Sequence, residues 1–244
     1  MTVCVFLGPS LPTAEARALL PEAVLLPPVR RGAVIEAVET HNPATLAIID
    51  GYFEQVPAVW HKEILWALDR GIAVWGAASM GALRAAELGQ FGMTGHGVIA
   101  EAYRRGRWDP FPDPFEDDDE VAVLHGPEGA DHLSTVAMVD VRATLVAAIE
   151  TGGLTEDEAV AIAAAAKAVF YKDRDWRAVL AAAHAVGAGT RLAAAAPEGP
   201  VPQKRHDAAG LLTHLATDPS SPLPPPFRFE RTLLWAISGA GDEG

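Results

Sequence analysis

A chain of 244 residues, half of them apolar, carries enough hydrophobic material for one large domain or a domain with an appendage. Its formal net charge of −13 sets it against nucleic acid and anionic membrane surfaces, which are recognised through basic patches. A lone cysteine, Cys4, excludes an internal disulfide and any zinc site built on cysteines, and it suits a cytoplasmic protein. The first residues lack the signature of a signal peptide, and no run reaches the ~18 uninterrupted apolar residues of a membrane span.

In chain order, residues 3–7 read as a fully apolar strand buried on both faces, with Cys4 a small core residue. The turn Gly8-Pro9-Ser10 feeds a helix over 13–20. A short strand at 24–26 stops at Pro27-Pro28, and a helix over 30–39 turns Val34, Ile35 and Val38 inward. Residues 46–49 form a third strand ending at Asp50-Gly51. Pro57 opens a helix to residue 69, with Trp60, Ile64, Leu65 and Leu68 on its apolar stripe. Residues 72–75 are a fourth strand between Gly71 and Gly76, and a helix follows over 80–88. The alternation predicts an α/β fold, a parallel sheet flanked by helices in the first half. Ligands of such sheets bind beyond the carboxyl ends of the strands. That rule gathers Gly8, Pro9, Ser10, Asp50, Gly51, Gly76, Met80 and Gly81 along one edge as candidate substrate-binding residues.

Further on, the glycines of 91–97 predict a loop, 98–105 a helix, and the prolines and acids of 108–119 an exposed loop. Residues 121–124 read as another strand, closed by His125-Gly126-Pro127. From 131 the texture changes to alanine-rich helices over 131–151, 155–171 and 175–186. A linker at 193–202, a helix at 203–217, a proline strap at 219–226 and a last helix or strand at 229–237 complete the chain. The expected organisation is an α/β core over 1–130 carrying the active edge, with a mainly helical C-terminal half over 131–244.

Ser79 stands on the turn between the fourth strand and its helix. The sequence Ala77-Ala78-Ser79-Met80-Gly81 is close to a Gly-x-Ser-x-Gly nucleophile elbow, with Ala77 in place of the first glycine. The amides of Met80 and Gly81 would face a small anion at the helix N-terminus, while Arg84 lies on the same helix and joins the substrate-binding candidates. The plainer alternative is that Ser79 only caps the helix. A serine nucleophile needs a base. His61 and His125 fall near predicted strand edges, and the four lysines are worth inspection because lysine serves as a base when its pKa is depressed. Lys62 lies in the first turns of a helix leaving the same edge, and Lys167 sits among alanines in a helix that reads as buried; the residues alone leave both open. The acids at 117–120 lack the spacing of a calcium loop and read as a solvated run, and no metal site or cofactor is expected.

Several longer motifs occur in order: Phe6-Leu7-Gly8-Pro9-Ser10-Leu11, Ile49-Asp50-Gly51-Tyr52-Phe53, Trp60-His61-Lys62-Glu63-Ile64-Leu65, the stretch from Gly76 to Leu88, and Arg142-Ala143-Thr144. Together they resemble the TfuA-like protein family over roughly the first 150 residues, with a looser similarity through Lys167, Arg174 and the Lys204-Arg205 cluster. The resemblance implies a companion of YcaO enzymes in peptide-backbone thioamidation. It implies hydrolysis of the C-terminal thiocarboxylate of a ThiS-like ubiquitin-fold sulfur carrier, with a serine and a lysine as the catalytic pair. Ser79 is the carry-over for the serine. Lys62 is preferred over Lys167 for the lysine because it belongs to the same sheet edge. The proline-rich insertion at 108–116 departs from the family pattern, and Arg104, Arg105 and Arg107 offer locally basic surface for an acidic carrier. Two other functions stay open: a non-catalytic adaptor joining carrier and YcaO, and a general serine hydrolase.

Overall fold

The structure is a computed structural model that describes residues 2–52, 56–124, 135–218, 227–232 and 235. By its contacts the chain groups into two compact units: Met1–Arg104 with Arg205–Gly244, and Arg105–Lys204. The division at 130 expected from sequence texture reflected where alanine-rich helices begin; contacts return the last long helix to the first unit.

The first unit alternates β1 (Val3–Phe6), α1 (Thr13–Leu19), β2 (Val24–Leu26), α2 (Ala33–His41), β3 (Thr45–Ile48), α3 (His61–Asp69), β4 (Ala73–Ala77), α4 (Met80–Leu88), β5 (Thr94–His96) and α5 (Gly97–Arg105). The five strands form one parallel sheet in the order β2-β1-β3-β4-β5. β1 and β3 are buried along their whole length, which is why their sequences are apolar apart from Thr45 at the start of β3. Successive side chains point to opposite faces. Cys4, Phe6, Leu46, Ile48 and Val74 pack with α2, α3 and α4, whereas Val5, Leu7, Ala47, Ile49 and Trp75 face α1 and α10 (Gln203–Thr217). α10 reaches the sheet with a stripe of Ala208, Leu211, Leu212 and Leu215, all buried. Burial pushes the Cys4 thiol up to about 11, so it stays an inert core group.

Two expectations about strands are corrected. Residues 121–124 follow a 3₁₀ turn (Asp118–Glu120) and form no strand, while Thr94-Gly95-His96, expected in a loop, pairs with Trp75, Gly76 and Ala77 as the edge strand. Three residues centred on glycine carry no apolar alternation, so only the neighbouring backbone reveals them as a strand. α3 also starts later than Pro57, because the Pro57 carbonyl accepts the Arg31 amide (3.0 Å) and the chain stays extended up to Trp60.

The second unit contains α6 (Met138–Glu150), α7 (Glu156–Lys167), α8 (Trp176–Ala185) and α9 (Gly189–Ala195). Thr155 and Glu158 cap α7 reciprocally, and the Asp175 carboxylate accepts the Ala178 amide (2.7 Å) to start α8. The segment at 108–119 exposes Pro112, Pro114 and most of its acids, as expected, but its aromatic residues Trp108, Phe111 and Phe115 are buried, and Arg142 lies 4.9 Å from the Phe111 ring centroid. α6 begins at Met138 and not at 131, because residues 135–137 are not helical and Ala137 is extended (φ −68, ψ 146); residues 131–134, His125 and the strap at 219–226 lie outside the described residues. Of the segment expected at 229–237, residues 229–232 take neither helix nor strand.

Candidate functional site

β1, β3 and β4 run in register, with Phe6, Ile48 and Gly76 on one level. Their continuations, Gly8, Asp50 and Ala78, therefore leave the same carboxyl edge side by side. The order β2-β1-β3 means that the chain leaves β1 for one face of the sheet and β3 for the other, the switch point where doubly wound sheets open a crevice.

Ala78 is fully buried in the left-handed region (φ 64), a conformation that costs a residue with a Cβ about 1 kcal/mol or more. The Ser79 amide donates to the Ala77 carbonyl (2.7 Å), closing a three-residue turn. α4 starts at the next residue. Gly76 and Gly81 are required here: a Cβ on Gly81 would collide with the Ile48 carbonyl oxygen, and one on Gly76 with the Gly81 carbonyl. The start of α4 thus lies directly on the backbone of β3 and β4. One consequence corrects the expected anion site. The Gly81 amide is occupied by the Ile49 carbonyl (3.3 Å), which leaves Met80 as the first amide of the helix. Ser79 is 2 % exposed and makes no capping hydrogen bond.

Asp50, 2 % exposed, accepts three hydrogen bonds from the loop after β1: Gly8 N–H (2.9 Å) and Ser10 N–H (3.1 Å) on one oxygen, Ser10 Oγ–H (2.6 Å) on the other. Pro9 lies within that loop. Gly51 bridges to Val29 and packs beneath the Met80 side chain, too close for a Cβ. Arg84 Nη1 donates to Glu87 (2.5 Å), while its buried Nε has no partner among the described residues.

Lys62 donates to the Glu230 carbonyl (2.6 Å), with its amine 5.0 Å from the centroid of the Phe229 ring. Its neighbour His61 pairs with Glu87 (2.8 Å), which lies about 12 Å along α4 from Ser79 at 1.5 Å per residue. Glu63, 1 % exposed, accepts the amides of Gly32 (2.9 Å) and Trp60 (3.3 Å); burial nevertheless pushes its carboxyl above the usual range. Among the described residues the Ser79 hydroxyl has no lysine partner.

Lys167 lies in the second unit, in a network that the acidic run at 117–120 anchors. Glu120 is fully buried and accepts two hydrogen bonds from Arg142 (2.8 and 2.7 Å) and one from Lys167 (2.5 Å). Asp113 also accepts from Arg142 (2.6 Å), and Asp117 lies 3.1 Å from Lys167. Burial pulls the Lys167 ammonium down, but hydrogen bonding and attraction to Glu120, then Asp117, outweigh it and hold its pKa above the ordinary lysine value. Asp119 holds Arg174 (2.9 Å). The solvated run expected here holds for Asp117 and Asp118, which are exposed, and is corrected for Glu120, which is buried, and for Asp119, which is partly covered; Arg142, Glu120 and Arg174 are residues that the reading of charge patterns missed. An arginine within the apolar stretch 138–145 was the available signal. Asp113, Asp117 and Glu120 converge on cationic side chains, and no group of His, Cys, Asp and Glu suited to a metal occurs among the described residues. Arg104 pairs with Glu101, and Arg105 and Arg107 with Asp109, so each basic side chain has a carboxylate neighbour. No described helix is long and apolar enough to cross a membrane.

The family model for the TfuA-like protein matches residues 50–175, more than half of the chain. The chain belongs to the TfuA-like family. That family is associated with YcaO-type thioamidation. The TfuA-like match spans Asp50, Lys62, Ser79, Glu120, Arg142 and Lys167, whereas Gly8, Pro9 and Ser10 precede it. No curated protein matches the chain.

Proposed function

We propose that this TfuA-like chain works in the cytoplasm beside a YcaO enzyme, hydrolysing the C-terminal thiocarboxylate of a ThiS-like sulfur carrier to supply sulfide. The observation that carries this reading is the strained turn at Ala78, which holds Ser79 at the carboxyl edge of the sheet beside its switch point. Buried non-glycine residues in left-handed backbone persist where surrounding structure over-determines them, and such strain concentrates at functional sites. In the proposed reaction Ser79 Oγ attacks the thiocarboxylate carbon and gives its proton to the base. The tetrahedral oxyanion faces the Met80 amide and the positive end of α4. The protonated base gives its proton to the departing sulfur as the C–S bond breaks, so that HS⁻ leaves, and water then hydrolyses the seryl ester to a carboxylate and restores the Ser79 hydroxyl.

Lys62 is the preferred base. Its amine rests on the Glu230 carbonyl in this conformation, so docking of carrier or YcaO has to bring it to Ser79. Lys167 is the alternative, but a base needs a depressed pKa, and the carboxylates around Lys167 act in the opposite direction. A second reading, the non-catalytic adaptor, draws support from the near-complete burial of Ser79 and from a hydroxyl that makes no hydrogen bond to a lysine among the described residues. Incubation with thiocarboxylated carrier, with sulfide measured, separates the two. Hydrolysis predicts release that Ser79→Ala lowers by about 10³-fold or more. An adaptor releases none, and its Ser79→Ala variant still supports YcaO.

A further inference from the structure

We propose that Asp50 is a positioning residue, whose carboxylate clasps the loop after β1 into a fixed wall of the Ser79 edge without touching substrate. This rests on the hydrolytic reading above and changes the role expected of Asp50, Gly8 and Ser10. A carboxylate free to bind substrate or accept its proton needs unused lone pairs turned toward the crevice. Here both oxygens are engaged by the chain itself: Oδ2 by the amides of Gly8 and Ser10, Oδ1 by the Ser10 hydroxyl at 2.6 Å. Ser10 is 4 % exposed, and its hydroxyl is turned inward by the same contact.

The place of the clasp explains its use. Asp50 stands one residue past Ile49, whose carbonyl holds the Gly81 amide, and one before Gly51, which packs under Met80. It is thus joined through its neighbours to both residues that follow Ser79. Through its side chain it is joined to the loop after β1. Gly8 fits only without a side chain, because a Cβ there would lie 2.7 Å from Pro28 and 3.2 Å from Asp50. One side chain therefore fixes the two loops that leave the switch point on opposite faces of the sheet. Misplacement of such a wall by about 1 Å is enough to cost about 10²-fold in rate.

Hydrogen-bond geometry makes the role separable from one that uses charge. Asparagine is nearly isosteric. Its oxygen at the Oδ2 position accepts both amides, and its NH₂ at the Oδ1 position donates to Ser10 Oγ, which changes from donor to acceptor. Asp50→Asn therefore keeps all three contacts and removes only the charge, whereas Asp50→Ala breaks them all.

The test combines two readouts on the full chain. Hydrogen exchange of the Gly8 and Ser10 amides reports the clasp, and sulfide release from thiocarboxylated carrier reports the reaction. Expected is Asp50→Asn with amide protection retained and kcat/KM within about 5-fold of the unsubstituted protein, beside Asp50→Ala with protection lost and kcat/KM down about 10²-fold. Asp50→Asn as inactive as Asp50→Ala while its amides stay protected would overturn the proposal, since the charge would then act on substrate. Loss of protection in Asp50→Asn equal to that in Asp50→Ala would also overturn it. Absence of sulfide release from the unsubstituted protein is a different failure, that of the hydrolytic reading itself.

Discussion

Ala78 and Gly81 illustrate how much depends on a few atoms of backbone. A valine at 78 would place a β-branched side chain in left-handed backbone within a filled core, so Ala78→Val is expected to lower unfolding stability by about 2 kcal/mol in denaturant titration. Gly81→Ala is expected to cost more, about 3 kcal/mol or enough to prevent folding, because the new methyl meets the Ile48 carbonyl and no side chain can move aside. Loss of soluble folded protein, or a markedly lowered urea midpoint, is the measurement. The small residues Gly76, Ala77, Ala78 and Gly81 are visible in the sequence, and they permit this close approach. Which amide remains for an anion was not legible, because the acceptor that takes the Gly81 amide is the Ile49 carbonyl at the end of a different strand.

Charge at the level of the element behaves differently from charge on a surface. Removing the Glu120 carboxylate charge leaves Arg142 without its main partner in a buried site, so Glu120→Gln is expected to destabilise the protein by about 3 kcal/mol in denaturant unfolding. The network also predicts a pH dependence. For Asp113, burial raises the pKa, but the hydrogen bond and charge of Arg142 outweigh it and the net shift is downward. Its contribution is therefore present above the unfolded value of about 4 and is lost as pH falls through the folded one. The Lys167 pKa is raised, so its contribution is full below about 10 and is lost as pH rises through the folded value. Urea midpoints measured across pH should fall at both ends, with Asp113→Asn flattening the acid side. An acidic run reads as solvated when its partners are far along the chain, as Arg142 and Lys167 are from Glu120. Strand membership has the same limit: the apolar run at 121–124 forms no strand, and Thr94-Gly95-His96 does, because pairing requires a neighbour's backbone and not only an apolar composition.

Across the first unit, the sheet needs both faces covered, and the chain supplies the second cover late, through α10. Leu211 and Leu212 are fully buried against β1, β3 and β4 residues, so Leu211→Ala is expected to cost about 3 kcal/mol, read as a lowered urea midpoint. A helix that merely trailed the fold would tolerate the change at little cost. The sequence alone established the α/β alternation, the parallel sheet and the serine turn, since apolar periodicity and turn chemistry are local and recur within a few residues; the family likeness rested on the order of its longer motifs. Tertiary structure decided which amides and carboxylates are already occupied: Asp50 by the loop after β1, Gly81 by Ile49, Glu120 by Arg142 and Lys167. A hydrogen bond has two ends. A sequence displays each donor and acceptor, but only the folded chain brings distant ones within hydrogen-bond reach and so determines which are left for a substrate.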